Sequence, residues 1–355
     1  MPKQICNDLL ALIRKEVRVP VSIMEVCGTH TMSIFRYGLR SLLPEEITLL
    51  SGPGCPVCVT DDEDINKMMQ LARHKDIELA TFGDLMRVPS QNGSLMEERA
   101  KGARVHVVYS PFSALELAKQ RPDKKVVFLA VGFETTIPTI AATILQAKRE
   151  KIKNFFIYSA LKTMPRALEA LFDGKNVNLD GLLCPGHVSV IIGTKPYKII
   201  PQKFGIPCAI AGFEPEDILR ALYILIKQIN NNSPCVVNAY ERAVSDTGNL
   251  RAVSMIEEVF VEQDACWRGL GIIKKSGLRL RDNYKEFDIC SFFDFESQAF
   301  NQKLYAGCIC GKVITAQATP LDCKLFSKIC TPSNPMGPCM VSSEGTCSAY
   351  YRYGR

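Results

Sequence analysis

Three cysteines of this chain stand in short glycine-rich loops, Val26-Cys27-Gly28-Thr29-His30-Thr31 and Ser51-Gly52-Pro53-Gly54-Cys55-Pro56-Val57-Cys58. Six more, Cys308, Cys310, Cys323, Cys330, Cys339 and Cys347, crowd the C-terminal tail. The first group has the look of a reactive thiol site and the second of a metal cage. A chain that carries both moves electrons, metal or sulfur chemistry between them.

Cys55 and Cys58 form a C-x-x-C pair just ahead of a helical pattern, with Thr60 and Glu63 spaced as a capping box. A helix N-terminus favours a thiolate at Cys58. Asp61, Asp62, Glu63 and Asp64 oppose it, because four carboxylates in one turn raise a thiol pKa and attract a cation instead. The pair therefore reads as a dithiol/disulfide switch or a metal contact rather than a simple nucleophile; a chance C-x-x-C or zinc half-site is the ordinary alternative. Gly52, Pro53 and Gly54 argue against chance, since they shape a tight loop with close backbone approach. Cys27 alone would pass for a small core residue. Its polar, flexible neighbours favour a thiolate with His30 at hand, able to bind iron or act as a nucleophile. His187, in Cys184-Pro185-Gly186-His187, is a cleft residue, a general acid/base or a helix cap.

A weak repeat adds one further candidate. Gly132-Phe133-Glu134 and Gly212-Phe213-Glu214 each follow an apolar run and precede a helix start. Reuse of glycine and acidic caps explains this equally well as a shared turn that presents Glu134 to a cleft. In the tail, Cys308-Ile309-Cys310 is followed by cysteines after intervals of 12, 6, 8 and 7 residues. No C-x-x-C pair occurs there, which disfavours a zinc ribbon or finger. Wide, irregular spacing suits four thiolates converging on a [4Fe–4S] cluster.

The elements that must position these residues are those of an α/β protein. Continuously apolar runs at Val19–Val26, Ile47–Leu50, Ile77–Phe82, Val105–Tyr109, Val126–Val131, Phe155–Ala160, Gly181–Cys184 and Pro207–Ala211 read as strands covered on both faces. Amphipathic segments such as Ile65–Arg73 and Ile140–Arg149 lie between them, so the sheets are expected to be parallel. Ligands then bind at the carboxyl ends of the strands. If their strands are neighbours, the loops of Cys27 and of Cys55/Cys58 open on the same mouth. The expected organisation is an N-terminal helix (1–18, from the pattern Asn7–Val17), two similar parallel-sheet α/β domains flanking a cleft (19–123 and 124–232), and a mostly helical or irregular iron–sulfur domain (233–355). Within the last, Cys235–Ala243 and Leu250–Val259 read as helical.

Composition narrows the class. The chain has 355 residues, 47% hydrophobic and 23% charged, which is ordinary globular usage. The N-terminus shows no export signal and no apolar run approaches a membrane span. A cytoplasmic location follows, where fifteen cysteines are metal-binding, catalytic or buried rather than bridged. A net charge of +6 without a basic stripe argues against nucleic-acid binding.

Taken together, Glu25-Val26-Cys27-Gly28-Thr29-His30, Gly52-Pro53-Gly54-Cys55-Pro56-Val57-Cys58, Gly132-Phe133-Glu134-Thr135-Thr136, Pro185-Gly186-His187, Gly212-Phe213-Glu214-Pro215, Trp267-Arg268-Gly269 and Ser343-Glu344-Gly345-Thr346-Cys347 occur in one order. The chain closely resembles the HypD family of hydrogenase maturation proteins over nearly its whole length. The resemblance implies a metallocofactor assembly scaffold with redox activity. With a small HypC-type chaperone it would hold iron and build the Fe(CN)2CO group of [NiFe]-hydrogenase, with cyanide delivered by a HypE-type partner that HypF charges. By match to the family motifs, Cys27 is implied as the iron ligand and Cys55/Cys58 as the redox pair. Cys310, Cys323, Cys330 and Cys347 are implied as ligands of a [4Fe–4S] cluster, leaving Cys308 and Cys339 as extras. Glu134 and His187, with His30, would position or protonate incoming groups. Two other classes stay open on the residues alone: an iron–sulfur thiol/disulfide reductase and a zinc-stabilised binding module.

Overall fold

The computed structural model of the chain describes residues 2–174, 178–296 and 307–354. Its nine parallel strands are β1 (Val21–Glu25), β2 (Ile47–Ser51), β3 (Ile77–Thr81), β4 (Val105–Val107), β5 (Lys125–Ala130), β6 (Phe155–Ser159), β7 (Gly181–Pro185), β8 (Cys208–Ala211) and β9 (Val236–Asn238). All eight apolar runs expected as strands are strands. They are continuous rather than alternating because helices cover both faces: every residue of β3, β7 and β8 is buried.

Two parallel sheets result, in the orders β2-β1-β7-β8-β9 and β4-β3-β5-β6. The chain starts the first sheet, leaves it after β2 to build the whole of the second, and returns at β7. The expected division at residue 123 is corrected by this path. Segments 19–123 and 124–232 each contribute strands to both sheets, so neither is a unit of its own. The cause is pairing: β1 docks in register with β2 (Met24 beside Leu50) and also with the distant β7 (Met24 beside Leu182). A sequence written in order cannot display a partner that lies 158 residues away along the same sheet.

Residues beyond 232 do not fold apart either. The pattern Cys235–Ala243, expected as helical, contains β9, which pairs with β8 and closes the first sheet. Helix Leu250–Val259 packs on helix Ile137–Arg149 of the second sheet. An antiparallel hairpin, β10 (Phe260–Trp267) and β11 (Gly271–Leu280), follows. Trp267 anchors it. The ring is fully buried, stacks on Phe133 at 5.8 Å and donates its indole N–H to Ser276 at 2.8 Å. The N-terminal helix, Pro2–Glu16, lies against helix Pro215–Asn230, its apolar face closing the core of the first sheet.

Candidate thiol and metal centre

Counted in chain order within the first sheet alone, its strands run 2-1-3-4-5, the doubly wound order whose ligand crevice lies outside the carboxyl ends of the first and third strands. Here those are β1 and β7. Cys27 and Gly28 follow β1 by two and three residues, and His187 follows β7 by two. Parallel pairing puts the Cys55 loop, after β2, on the same edge.

Cys27 and the Cys55 loop are in contact through backbone. Gly54 lies so close to Cys27 that a Cβ on it would stand 2.5 Å from the Cys27 amide nitrogen. The Gly28 amide donates to the Gly54 carbonyl at 3.2 Å. Only glycine permits that approach. Cys27 is the N-cap of helix Gly28–Arg36 and is buried. Burial, and then the Glu344 carboxylate, push its thiol up to about 11, while the Thr29 and His30 amides favour the thiolate. At neutral pH Cys27 is therefore a thiol.

Cys55 and Cys58 are joined as a disulfide. Cys55 caps the one-turn helix Pro56–Val59, its sulfur accepting the Cys58 amide at 3.2 Å. The capping box expected from Thr60 and Glu63 does not form. Asp61 caps helix Asp62–Arg73 by accepting the Glu63 amide, while the Thr60 hydroxyl donates back to the Pro56 carbonyl at 2.8 Å. An Asx cap two residues from its donor is the tighter local solution. The carboxylates of this turn find the cations they call for: Asp62 pairs with Arg268 at 2.7 Å and Asp64 with the buried Lys162 at 3.6 Å.

His30 is placed differently from expectation. Its Nε2 faces the carbonyls of Gly212 at 2.9 Å and Ala211 at 3.3 Å, after β8. Burial holds its pKa down to about 4, so it is neutral and serves as a strut between loops rather than a base beside Cys27. Phe213 lies between two imidazoles, 5.0 Å from His30 and 4.0 Å from the exposed His187. Partial burial lowers the His187 pKa. Glu134 is not at the Cys27 mouth: it follows β5 of the other sheet and accepts the Met164 amide at 2.9 Å. The buried Tyr197, whose hydroxyl accepts from Ser189 at 3.1 Å, packs in the core shared by the two sheets, and burial raises its pKa.

The tail closes over this edge. Glu344 accepts the Thr29 hydroxyl at 2.8 Å, and its backbone seats on Gly28, where a Cβ would meet it at 2.5 Å. Cys58 points its sulfur at the Pro338 carbonyl, 3.9 Å away. The next residue, Cys339, has its sulfur 2.7 Å from that of Cys310. All six tail cysteines border one small cavity with apolar walls from Val313, Leu325, Phe326 and Met340. Thiols from Cys308 and Cys339 hold Cys310 well toward the thiolate, and Arg268 adds positive charge. Among the described residues no three His, Cys, Asp or Glu side chains stand close enough to hold a metal ion as placed. The donor chemistry nonetheless fits an iron–sulfur cluster: thiols alone, in apolar walls.

Residues 4–354 match the profile of the HypD family, described as the hydrogenase formation hypA family. The chain belongs to that family. It is 44% identical over 335 residues to a putative hydrogenase expression/formation protein of Methanocaldococcus jannaschii, covering 94% of this chain and 92% of the relative. It is likewise 44% identical over 335 residues to the hydrogenase maturation factor HypD of Escherichia coli, covering 94% and 89%. Against HypD of Cupriavidus necator the identity is 41% over 362 residues, covering 99% and 95%. No helix among the described residues is long and apolar enough to cross a membrane.

Glu344, Phe213, Tyr197 and Arg268 are site residues that spacing alone did not single out. Three of them sit in quoted motifs, so a signal existed; for Tyr197 there was none, since its place between the sheets exists only after folding.

Proposed function

We propose that this chain is the scaffold on which the Fe(CN)2CO group of [NiFe]-hydrogenase is assembled in the cytoplasm. A small HypC-type chaperone would share the iron and a HypE-type partner would bring cyanide. Iron is here the substrate. The observation that carries the reading is the contact of Cys27 with the Cys55–Cys58 loop, itself seated on the Pro338–Cys339 segment of the tail. A metal-binding thiol, a disulfide and a second thiol group thus follow one another through adjacent loops.

Cys27 supplies a soft donor suited to low-spin iron with strong-field ligands. The disulfide takes up two electrons and two protons when it opens to the dithiol. Exchange with the Cys310/Cys339 pair meets that balance: the Cys55–Cys58 bond breaks, a Cys310–Cys339 bond forms, and the two thiol protons transfer. His187, exposed at the switch-point crevice, is placed to hand protons to incoming groups, and His30 braces the loop behind it.

A [4Fe–4S] cluster in the tail, when bound, would supply single electrons. Cys323, Cys330 and Cys347 are three of its ligands in this proposal. The Cys310 and Cys339 sulfurs, 2.7 Å apart, stand closer than two ligands at different corners of one cluster, which favours a single ligand from the pair. The family-implied set uses Cys310. The closeness of the pair favours a second set, with Cys308 as the fourth ligand and Cys310/Cys339 left as the thiol couple. Iron content separates the two: Cys308→Ser loses cluster iron under the second set and Cys310→Ser under the first.

The main test is infrared spectroscopy of the chain purified with its small partner. Cys27→Ala is expected to lose the cyanide and carbonyl bands while the visible absorption of the tail cluster stays. Bands that survive in Cys27→Ala would overturn the assignment.

A further inference from the structure

Cys27 is only 8% exposed, although a residue that takes up iron has to be reached. On one side it is packed by Gly54, part of the sheet edge. On the other side the cover is the tail segment Ser342-Ser343-Glu344-Gly345. That segment is a four-residue turn, closed by the Gly345 amide, which donates to the Ser342 carbonyl at 3.0 Å. Its Glu344 seats on Gly28, the residue after Cys27, and the Glu344 carboxylate is near enough for its charge to act on the Cys27 thiol.

The attachment of this turn is slight. Two side-chain hydrogen bonds fasten it, one to each sheet. The Thr29 hydroxyl, after β1 of the first sheet, donates to Glu344 Oε1 at 2.8 Å. The Ser342 hydroxyl donates at 2.7 Å to Oδ2 of the exposed Asp84, after β3 of the second sheet. The turn is clasped at its base: Gly345 lies so close to the Cys339 backbone that a Cβ there would strike the Cys339 carbonyl. A loop with its ends together opens without disturbing the chain on either side. The following helix, Thr346–Tyr353, has its own anchor on helix Gly28–Arg36, where Tyr350 meets Phe35 at 4.4 Å.

We propose that residues 342–345 form a strap that gates Cys27, with Ser342 and Glu344 as its two fasteners. Closed, the strap shields the thiol from solutes. Released from Asp84 and Thr29, it opens a path to the sulfur along the carboxyl edge of both sheets. Cover of this kind has a chemical use, because oxidation of a thiol follows its exposure. The inference rests on the reading of Cys27 as the residue that takes iron, but its test reads access to the thiol and needs no iron.

The test is pulse labelling of the full chain with iodoacetamide, each cysteine being read by peptide mass spectrometry. Ser342→Ala is the deciding variant. Ser342 bears no charge, so its loss reaches the thiol by releasing the strap and not through the field at Cys27. Labelling of Cys27 should rise about tenfold, the factor that one hydrogen bond to a charged group supplies. The fully buried Cys184 should stay as slow as in wild type. Ser342→Thr keeps the hydroxyl and should label like wild type. Thr29→Val tests the sign. The Thr29 hydroxyl favours the Cys27 thiolate, so electrostatics alone predicts slower labelling in this variant, whereas release of the strap predicts faster. Unchanged Cys27 labelling in Ser342→Ala, a parallel rise at Cys184, or slower labelling in Thr29→Val would sink the proposal. None of these outcomes touches the iron assignment, which the infrared spectrum of Cys27→Ala decides by itself.

Discussion

The two thiol regions are built by opposite means. The Cys27 and Cys55/Cys58 loops hang from adjacent parallel strands, and their contact is backbone against backbone. The tail cysteines hang from turns, from one-turn helices and, at Cys347, from the start of helix Thr346–Tyr353, and Cys310 meets Cys339 sulfur against sulfur. A sheet edge is rigid before any metal arrives, whereas a set of loops takes its final shape from what its side chains bind. The electrostatics differ as well: Cys27 is held as a neutral thiol, and Cys310 is held toward the thiolate by its neighbours.

Substitutions can break this contrast. The largest effect is expected for Gly54→Ala, whose Cβ would strike the Cys27 backbone and which should cost about 3–5 kcal/mol in denaturant unfolding. Next comes the strut that joins the regions. Arg40 stacks on Phe35 and Tyr350, at 4.7 and 5.3 Å, and pairs with the buried Glu25 at 3.5 Å. Arg40→Ala leaves that carboxylate unpaired and should cost about 2–3 kcal/mol by the same measurement, since the arginine is partly exposed. A smaller effect concerns exchange: Cys339→Ser should slow reduction of the Cys55–Cys58 disulfide by about tenfold when electrons enter at the tail, read by thiol trapping and mass spectrometry. If the rate is unchanged, the tail is not the donor.

The charge contrast is sharpened by titration. Because burial and Glu344 raise Cys27 to about 11, its thiolate ultraviolet absorbance should appear only well above neutrality. Glu344→Gln removes the like charge and should bring that onset down by up to about one unit, an upward move being the contrary result. The smallest effect is expected for Gly337→Ala. Its Cβ would crowd the Cys308 sulfur, a movable side-chain end at 2.8 Å, and touch Cys310 only at ordinary contact distance, in extended backbone, so stability should fall by less than about 1 kcal/mol. A loss as large as that of Gly54→Ala would show that the tail is as rigid as the sheet edge.

A further pH effect isolates Glu134. Its folded pKa of about 7 lies above the ordinary 4.5, so between those values the folded state holds a proton that the unfolded state has lost. Stability from this group is present below pH ~4.5 and falls by about 3 kcal/mol as pH rises to 7. Glu134→Gln should lack that fall when its unfolding is compared with wild type across the range.

Strand existence was legible because burial on both faces leaves a continuous apolar run, and the early thiols were legible because glycine, proline and cysteine at that spacing serve few purposes besides a tight loop. Membership of the HypD family followed from the order of the motifs. The sequence by itself determined the first eight strands, the reactive residue types and the family. Tertiary structure alone decided which strands are neighbours, that β1 meets β7 within the first sheet, that His30 braces a distant loop, that Glu134 lies away from the Cys27 mouth, and that Cys310 pairs with Cys339. Each of those depends on contacts between residues far apart in the chain, and local periodicity carries no record of them.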